Sequence, residues 1–194
     1  MGQQPVKPWK VALFFVVALI VLMGATLLFM PRQYQVSRSQ LIEASPAEVS
    51  AALQDLARWP AWVVWLSTVD QTVQITYGDK VQGPGAELSY RGERLGAGRF
   101  VVVEGPTGDL QFEGYEGVGE TQSLVGVHRI VVQPEGEQTR VIWSMVGQVG
   151  KGSIDNLAVG ARERLAVRDF DASLLALKQC VEEDACGEQA GRLR

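Results

Sequence analysis

The chain has 194 residues, of which 46% are apolar and 21% are charged. This length suits one folded domain with a short extension, and the composition excludes a disordered or collagen-like chain. The formal net charge is −4; because the first 30 residues contain Lys7 and Lys10 and no acid, the remainder carries −6. An acidic domain is a poor binder of nucleic acid, so we expect no nucleic-acid partner.

Residues 11–30 form an uncharged apolar run, VALFFVVALIVLMGATLLFM. A helix of that length spans roughly 30 Å, the thickness of the hydrocarbon core of a bilayer. A cleaved signal peptide has a shorter apolar run followed by small residues, whereas this run leads into Pro31-Arg32. We therefore expect an N-terminal flank at 1–10, a retained transmembrane helix at 11–30, and the membrane as a partner.

The basic residues on either side of this run indicate its orientation. Lys7, Lys10 and the α-amino group precede it, and Arg32 and Arg38 follow it. The positive-inside rule favours a cytoplasmic N-terminus by about one charge. The domain is then expected outside the cytoplasm, which in a Gram-negative cell is the periplasm.

The segment after the run begins with strand and helix patterns. Residues 34–44 have the alternation and β-branched content of a strand. Ser45-Pro46-Ala47-Glu48 has the form of a capping box and predicts a helix over 46–56. Three of the five tryptophans follow within residues 59–65, where Pro60 argues against a continuous helix. These rings either plug one end of the core or line the mouth of a cavity.

Residues 72–147 alternate between apolar runs and Gly/Pro clusters about every ten residues, which predicts an antiparallel meander of six strands. The glycine-rich segments at 92–98 and 114–119 are predicted to be turns, because neither opens a helix. From about residue 155 to residue 181, apolar residues recur at helical spacing, so we expect a long helix packed on the sheet. The polar residues 183–194 form a tail.

The order of these elements and several local motifs resemble a known family. Residues 36–62 resemble the opening strand, helix and tryptophan-rich turn of the polyketide cyclase/dehydrase and lipid-transport family, which belongs to the START-like, pollen-allergen-like superfamily (SRPBCC). The resemblance covers about residues 34–182, and Tyr90 stands where the family often has a tryptophan. The matching residues are Arg38, Ala44, Pro46, Val49, Trp59 and Trp62, then Thr139 to Trp143 in the last strand, and Asp169-Phe170 to Leu177-Lys178 in the last helix.

This resemblance implies an α+β helix-grip (START-like) fold, in which a curved seven-stranded antiparallel sheet surrounds a long C-terminal helix. The domain would occupy residues 31–182, preceded by one transmembrane helix. Bacterial members often carry such a membrane segment, which implies a single-pass protein of the bacterial inner (plasma) membrane. The family's cavity between sheet and helix implies a lipid or another hydrophobic small molecule as the ligand, and protein partners stay unknown.

The sequence contains no nucleophile elbow, P-loop, dinucleotide-binding glycine motif or Cys/His metal spacing. His128 is the only histidine, which excludes a metal site or an acid/base mechanism that needs two imidazoles. We therefore expect no metal, no cofactor and no catalytic residue, and we favour a binding protein over an enzyme. Cys180 and Cys186 either form a disulfide in an oxidising compartment or remain free thiols in a reducing one.

Two further features have both a structural and a functional interpretation. His128 is either a hydrogen-bonded structural residue or a residue that contacts a ligand, since the strand alternation can point it inward. The basic residues at the start of the last helix either form a solvated face or hold an acidic ligand or lipid headgroup. They are Arg162, Arg164 and Arg168.

The leading hypothesis is a membrane-anchored, non-enzymatic domain that binds a lipid or another apolar molecule between the sheet and the last helix. One alternative is an enzyme of the cyclase, dehydrase or hydrolase type that uses polar groups of the same cavity, with His128 as the least unsuitable residue. Another is an interaction module with a filled core in an envelope complex. The facing pattern gives nine candidate lining residues: Trp62, Trp65, Tyr90, Phe112, His128, Trp143, Phe170, Leu174 and Leu177.

Overall fold

The computed structural model describes residues 8–29, 33–105, 109–149 and 158–186. Its first element, helix α1 (Pro8–Phe29), contributes no residue to the core, and its side chains from Trp9 to Leu22 are exposed. The stretch Trp9–Thr26 has a mean hydropathy of 2.2. Among the described residues, α1 is the one helix that is long and apolar enough to cross a membrane. It starts three residues before the predicted span, and Met30 lies outside the described residues.

Seven antiparallel strands form one sheet, as the family resemblance implied. Their order across the sheet is β1-β7-β6-β5-β4-β3-β2, so β2 to β7 form a meander and β7 returns to pair with β1. Short turns between consecutive strands favour this arrangement. The strands are β1 (Gln33–Ile42), β2 (Gln74–Tyr77), β3 (Glu87–Gly92), β4 (Gly96–Val103), β5 (Leu110–Glu116), β6 (Ser123–Glu135) and β7 (Gln138–Gln148).

Short helices connect β1 to β2. The first begins at the predicted capping box, in which the Glu48 backbone N–H donates to Ser45 Oγ at 3.3 Å and the Ser45 backbone N–H donates to Glu48 Oε2 at 2.8 Å. It ends two residues before its predicted limit, because Asp55 leaves the helix to bridge Gln82 and to cap the next turn. The helices are α2 (Pro46–Gln54), a 3₁₀ turn (Leu56–Arg58), α3 (Trp59–Trp62) and α4 (Val64–Ser67).

The long C-terminal helix α5 (Val159–Glu182) packs its apolar face on the sheet, where Phe170 and Leu177 are buried. Its predicted start at residue 155 lies outside the described residues. Just past the end of α5, Cys186 forms a disulfide with Cys180 and is buried in the core. The disulfide therefore holds a residue beyond the end of α5 against the core.

The two ends of the sheet differ in their relation to α1. Strands β1, β2, β4 and β6 begin at one end, which we call the proximal end because β1 enters it directly after α1. Helix α5 also begins there, with Arg162 placed 3.8 Å from Glu116 at the end of β5. It finishes at the opposite, distal end, where the Glu43 backbone N–H donates to Glu182 at 2.7 Å.

Candidate ligand-binding cavity

Aromatic rings fill the central part of the space between the sheet and α5. Trp59 meets Phe112 edge to face with ring centroids 4.7 Å apart, and Trp62 meets Trp143 in the same way at 5.8 Å. Phe170 of α5 stacks on Trp143 at 4.0 Å. Such pairs add to apolar burial, so the protein itself fills this space. We call the four residues that are at most 1% exposed the aromatic core: Trp59, Trp62, Phe112 and Trp143.

A cavity of about 280 Å³ lies at the proximal end, between the sheet and the first half of α5. A mostly apolar wall with a few polar groups is typical of small-molecule sites. The rings in this wall are Tyr34, Trp65, Tyr90, Phe100, His128 and Phe170. The aliphatic side chains are Val69, Leu95, Val125, Met145, Leu165 and Ala166, and the charged residues, which we call the charged rim, are Glu116, Arg162, Arg168 and Asp169.

Glycines on four neighbouring strands make room for these rings. We call them the glycine row: Gly98 on β4, Gly114 on β5, Gly126 on β6 and Gly147 on β7. Tyr34 lies directly opposite Gly147, and Tyr90 lies directly opposite Gly98. A side chain at either glycine would collide with the opposing ring. The rings therefore lie over bare backbone, which is a recognised use of glycine in strands.

The sequence-based prediction of turns is wrong for the parts of both glycine-rich segments that lie within strands β3, β4 and β5. Gly98 and Gly114 are buried within strands. Gly96, Gly117 and Gly119 do adopt left-handed backbone conformations, with φ values of 77°, 99° and 57°. The difference arises because a strand glycine can serve the close approach of a ring and not only the reversal of the chain.

His128 lies where the cavity wall meets the aromatic core, and the residue is 5% exposed. Trp143 Nε1 donates a hydrogen bond to His128 Nδ1 at 3.2 Å. The imidazole stacks on Phe112 with centroids 4.5 Å apart and planes 7° apart. Burial lowers the pKa of His128 to about 3, because desolvation disfavours the imidazolium. The side chain is therefore neutral near pH 7 and poorly matched to general acid/base catalysis there.

The charged rim consists of two ion pairs. Arg162 lies 3.8 Å from Glu116, and Arg168 lies 3.3 Å from Asp169. Because three of these four side chains are at least 42% exposed and only Asp169 is less so, the pairs add little to stability and can exchange partners with the polar part of a ligand. Burial raises the pKa of Tyr90 to about 12, with the charge of Glu116 adding to the effect, so the Tyr90 hydroxyl remains protonated.

Asp70 joins two loops that flank the cavity. Its carboxylate, in a residue only 3% exposed, accepts hydrogen bonds from the backbone N–H groups of Arg94 at 2.7 Å and Leu95 at 3.0 Å, and from both Thr72 donors. The hydrogen bonds from the Thr72 hydroxyl and from the Leu95 N–H hold the pKa of Asp70 well below its usual range. Because Val69 and Leu95 belong to the cavity wall, Asp70 positions that wall. Sequence reasoning missed Asp70, since one loop aspartate forms no distinctive pattern.

The structure places four of the nine sequence-predicted residues in the cavity wall: Trp65, Tyr90, His128 and Phe170. The other five lie in the packed interior, each at most 2% exposed: Trp62, Phe112, Trp143, Leu174 and Leu177. Strand and helix periodicity identifies inward-facing residues, but mutual ring packing decides which of them borders a void. Of the three arginines, Arg162 and Arg168 line the cavity, whereas Arg164 is exposed and does not.

Sequence reasoning missed several wall residues, and a cross-strand pattern would have found two of the missed rings, Tyr34 and Phe100. Phe100 lies directly opposite Gly114, in the same relation as Tyr34 to Gly147 and Tyr90 to Gly98. An inward ring opposite an inward glycine marks a place where the sheet leaves space. The pattern requires the strand register, which the single sequence does not supply.

The opposite face of the sheet carries a depression of about 530 Å³ between β1, β5, β6 and β7. Its wall includes Gln35, Ser37 and Ser144 and contains no aromatic ring. No group of three or more His, Cys, Asp and Glu residues suited to a metal ion occurs within the described ranges. The proximal cavity is therefore the site whose chemistry suits an apolar ligand.

A seven-stranded antiparallel sheet closed by one long C-terminal helix, with a ring-lined cavity between them, defines a helix-grip domain of the α+β class. The profile of the polyketide cyclase/dehydrase and lipid transport family matches residues 33–182. The chain belongs to this family, which confirms the resemblance found in the sequence.

Solved structures share this fold at low sequence identity. A protein of unknown function from Staphylococcus aureus has 14% identity and a TM-score of 0.58, over 78% of this chain and 95% of that chain. A hypothetical protein from Helicobacter pylori has 12% identity and a TM-score of 0.55, over 74% and 85%. The Aha1 dimer from Colwellia psychrerythraea has 17% identity and a TM-score of 0.53, over 77% and 96%. These similarities show the fold alone, and no curated protein sequence matches the chain.

The lengths of these matches indicate that the helix-grip fold does not include α1. About three quarters of this chain covers nearly all of the Staphylococcus and Colwellia proteins, and the family profile begins at residue 33. The fold therefore forms without a counterpart of α1, whose described residues contribute nothing to the core. Residues 33–194 are accordingly a unit that can be studied without the helix.

Proposed function

We propose that this chain is a membrane-anchored domain that binds a lipid or another apolar small molecule in the proximal cavity, and that binding is its activity. The observation that carries the proposal is the cavity of about 280 Å³ walled by six rings. Transfer of apolar surface from water into such a wall is favourable by about 25 cal/mol per Å². The family description, which includes lipid transport, supports the same class of ligand.

The volume limits the size of the ligand. At roughly 30 Å³ for each water-sized group, the cavity holds about nine or ten non-hydrogen atoms. That corresponds to a small ring system or to part of one acyl chain. A longer amphipathic ligand would leave its polar part at the charged rim, beside Arg162 and Arg168.

The position of the cavity supports exchange of ligand with a bilayer. Helix α1 ends at Phe29, and Tyr34 of the cavity wall follows five residues later. Five extended residues reach at most about 18 Å, so the wall begins within that distance of the end of α1. With α1 inserted in the membrane, the tethered cavity meets membrane-dissolved ligands at a high effective concentration.

The disulfide between Cys180 and Cys186 supports a domain outside the cytoplasm. Disulfides persist in oxidising compartments and are rare in the cytosol. The charges of Lys7 and Lys10 before α1 favour the same orientation. We therefore place the domain on the periplasmic or extracytoplasmic side of a bacterial inner membrane.

Native mass spectrometry of residues 33–194, before and after extraction with organic solvent, tests the binding proposal. We expect a mass excess that extraction removes and that identifies the bound molecule. Ala166→Trp, which places a ring in the cavity, should abolish the excess. Ala172→Trp, on the exposed face of the same helix, is the matched control and should retain it. A ligand-free wild-type protein that also fails to take up added apolar compounds would contradict the proposal.

Fractionation of cells that produce the full chain tests the anchor and the orientation. The full chain should remain in the membrane fraction at alkaline pH, whereas residues 33–194 should be soluble. Cys180 and Cys186 should react with thiol reagents only after reduction. Free, reactive thiols in the untreated full chain would contradict the extracytoplasmic location.

A further inference from the structure

The hydrogen bond from Trp143 determines which nitrogen of the His128 ring carries the proton. The indole N–H of Trp143 can only donate, so the hydrogen bond of 3.2 Å requires His128 Nδ1 to be an acceptor without a proton. In a neutral imidazole the remaining proton then resides on Nε2. Trp143 thus fixes the tautomer and makes Nε2 a hydrogen-bond donor.

The Nε2 donor lies beside Gly114 and Phe100. It lies 3.4 Å from the point where a Cβ on Gly114 would stand, and the edge of Phe100 lies 3.3 Å from the same point. Both His128 and Phe100 line the cavity, whereas Gly114 does not, so Nε2 lies where the cavity borders the backbone of Gly114. The stacked ring of Phe112 covers a face of the imidazole and leaves the Nε2 edge as the approachable part.

This donor is unmatched within the protein. Among the described residues, Trp143 is the one hydrogen-bond partner of the imidazole, and none pairs with Nε2. Nε2 is not one of the buried unpaired side-chain nitrogens of the described residues, which are Trp62 Nε1 and Arg99 Nε, so it is accessible from the cavity. A ligand that supplies an acceptor here replaces the water to which Nε2–H can otherwise donate, whereas a pure hydrocarbon displaces that water and leaves the donor unpaired.

We propose that His128 Nε2–H is the specificity-determining donor of the proximal cavity, and that the ligand is an apolar molecule with an acceptor oxygen of the ketone, ester or ether kind. The inference rests on the proposed function, because it requires a ligand in the cavity. It adds the chemical class of that ligand. Trp143 acts as a positioning residue, since it holds the tautomer without touching the ligand.

Two probes of similar size test the hydrogen bond from Nε2–H separately from binding in the cavity. Acetophenone and isopropylbenzene have the same number of non-hydrogen atoms and fit the cavity by size, but only acetophenone carries an acceptor oxygen. Residues 33–194 labelled with ¹⁵N-histidine, with any affinity tag removed, give the signals of one imidazole, since His128 is the only histidine. Acetophenone should shift the Nε2–H signal, and isopropylbenzene should bind without that shift.

The variant His128→Phe gives the second measurement. It should weaken acetophenone binding by roughly three- to tenfold, the usual effect of one hydrogen bond, and leave isopropylbenzene binding within about twofold. Equal weakening of both probes, or binding of acetophenone without a shift of Nε2–H, would overturn the inference while leaving cavity binding intact. Failure of both probes to bind the wild-type domain would instead overturn the proposed function. The wild-type spectra decide the matter even if the variant does not fold.

Discussion

Aromatic residues do opposite things in two adjoining parts of this interior. In the aromatic core, Trp59 and Phe112 pack ring against ring and leave no space. In the proximal cavity, Tyr34 and Tyr90 lie over glycines and enclose a void. The same residue types therefore fill or line the interior according to what they pack against. The predictions below test how far the two parts differ in stability and in tolerance of substitution.

The largest expected difference in unfolding free energy is between alanine substitution of a tryptophan in the aromatic core and of one in the cavity wall. Trp143→Ala should lower the free energy of unfolding by about 3–5 kcal/mol, because it removes a fully buried ring that stacks on Phe170. Trp65→Ala should cost about 1–2 kcal/mol, since Trp65 is partly exposed beside existing space. Urea-induced unfolding of residues 33–194 measures both values. Equal costs would mean that the two parts are packed alike.

Two alanine substitutions within the glycine row sharpen the comparison. Gly98→Ala should cost about 1–3 kcal/mol, because its Cβ would collide with the Tyr115 backbone carbonyl as well as with the Tyr90 ring. Gly114→Ala should cost less than about 1 kcal/mol, since its Cβ meets only the edges of Phe100 and His128 at 3.3 and 3.4 Å. Thermal unfolding compares the two. The reverse order would show that the rings, and not the backbone, limit space at the row.

Acid should lower the free energy of unfolding through His128, which lies between the aromatic core and the proximal cavity. The pKa of His128 is about 3 in the folded chain and about 6.5 in the unfolded chain. Between these values only the unfolded chain binds the proton. The contribution of His128 to the free energy of unfolding should therefore be fully present above about pH 6.5 and should fall by about 1.4 kcal/mol per pH unit below it, until the pH reaches the folded pKa.

The variant His128→Phe lacks this titration. Between about pH 6 and about pH 4, the slope of its unfolding free energy against pH should therefore be smaller than that of the wild type by about 1.4 kcal/mol per pH unit. Urea unfolding at several pH values measures the two slopes. Parallel slopes would indicate that the imidazole is already well hydrated in the folded protein, and would contradict the lowering of its pKa by burial.

The smallest expected effect distinguishes two tryptophans inside the aromatic core. Trp59 Nε1 donates to the Leu53 carbonyl at 2.8 Å, whereas Trp62 Nε1 has no partner within the described residues. Both rings are buried. Trp59→Phe should therefore cost about 1 kcal/mol more than Trp62→Phe, because only the former breaks a hydrogen bond. Chemical unfolding of both variants checks this, and a larger cost for Trp62→Phe would contradict it.

The sequence predicted the fold more fully than the cavity. Local chemistry defines elements: the Ser45–Glu48 capping box starts α2, and the alternation around Trp143 gives the inward face of β7. The cavity depends instead on strand register, which places Phe100 opposite Gly114. It also depends on hydrogen bonds between loops, such as those that Asp70 accepts from residues 24 and 25 positions away. Those relations join distant positions, so a periodic pattern along one chain does not contain them.

The glycine row also bears on the motions of the sheet. Gly114, Gly126 and Gly147 are paired side by side on three adjacent strands, and glycine is the residue that weakens a strand interior most through backbone entropy. Local opening of the sheet is therefore least costly at the proximal end, so backbone amides there exchange with deuterium before those around Trp143. The cavity then borders the part of the domain that should open most readily, so its shape can adjust to a ligand without unfolding the core.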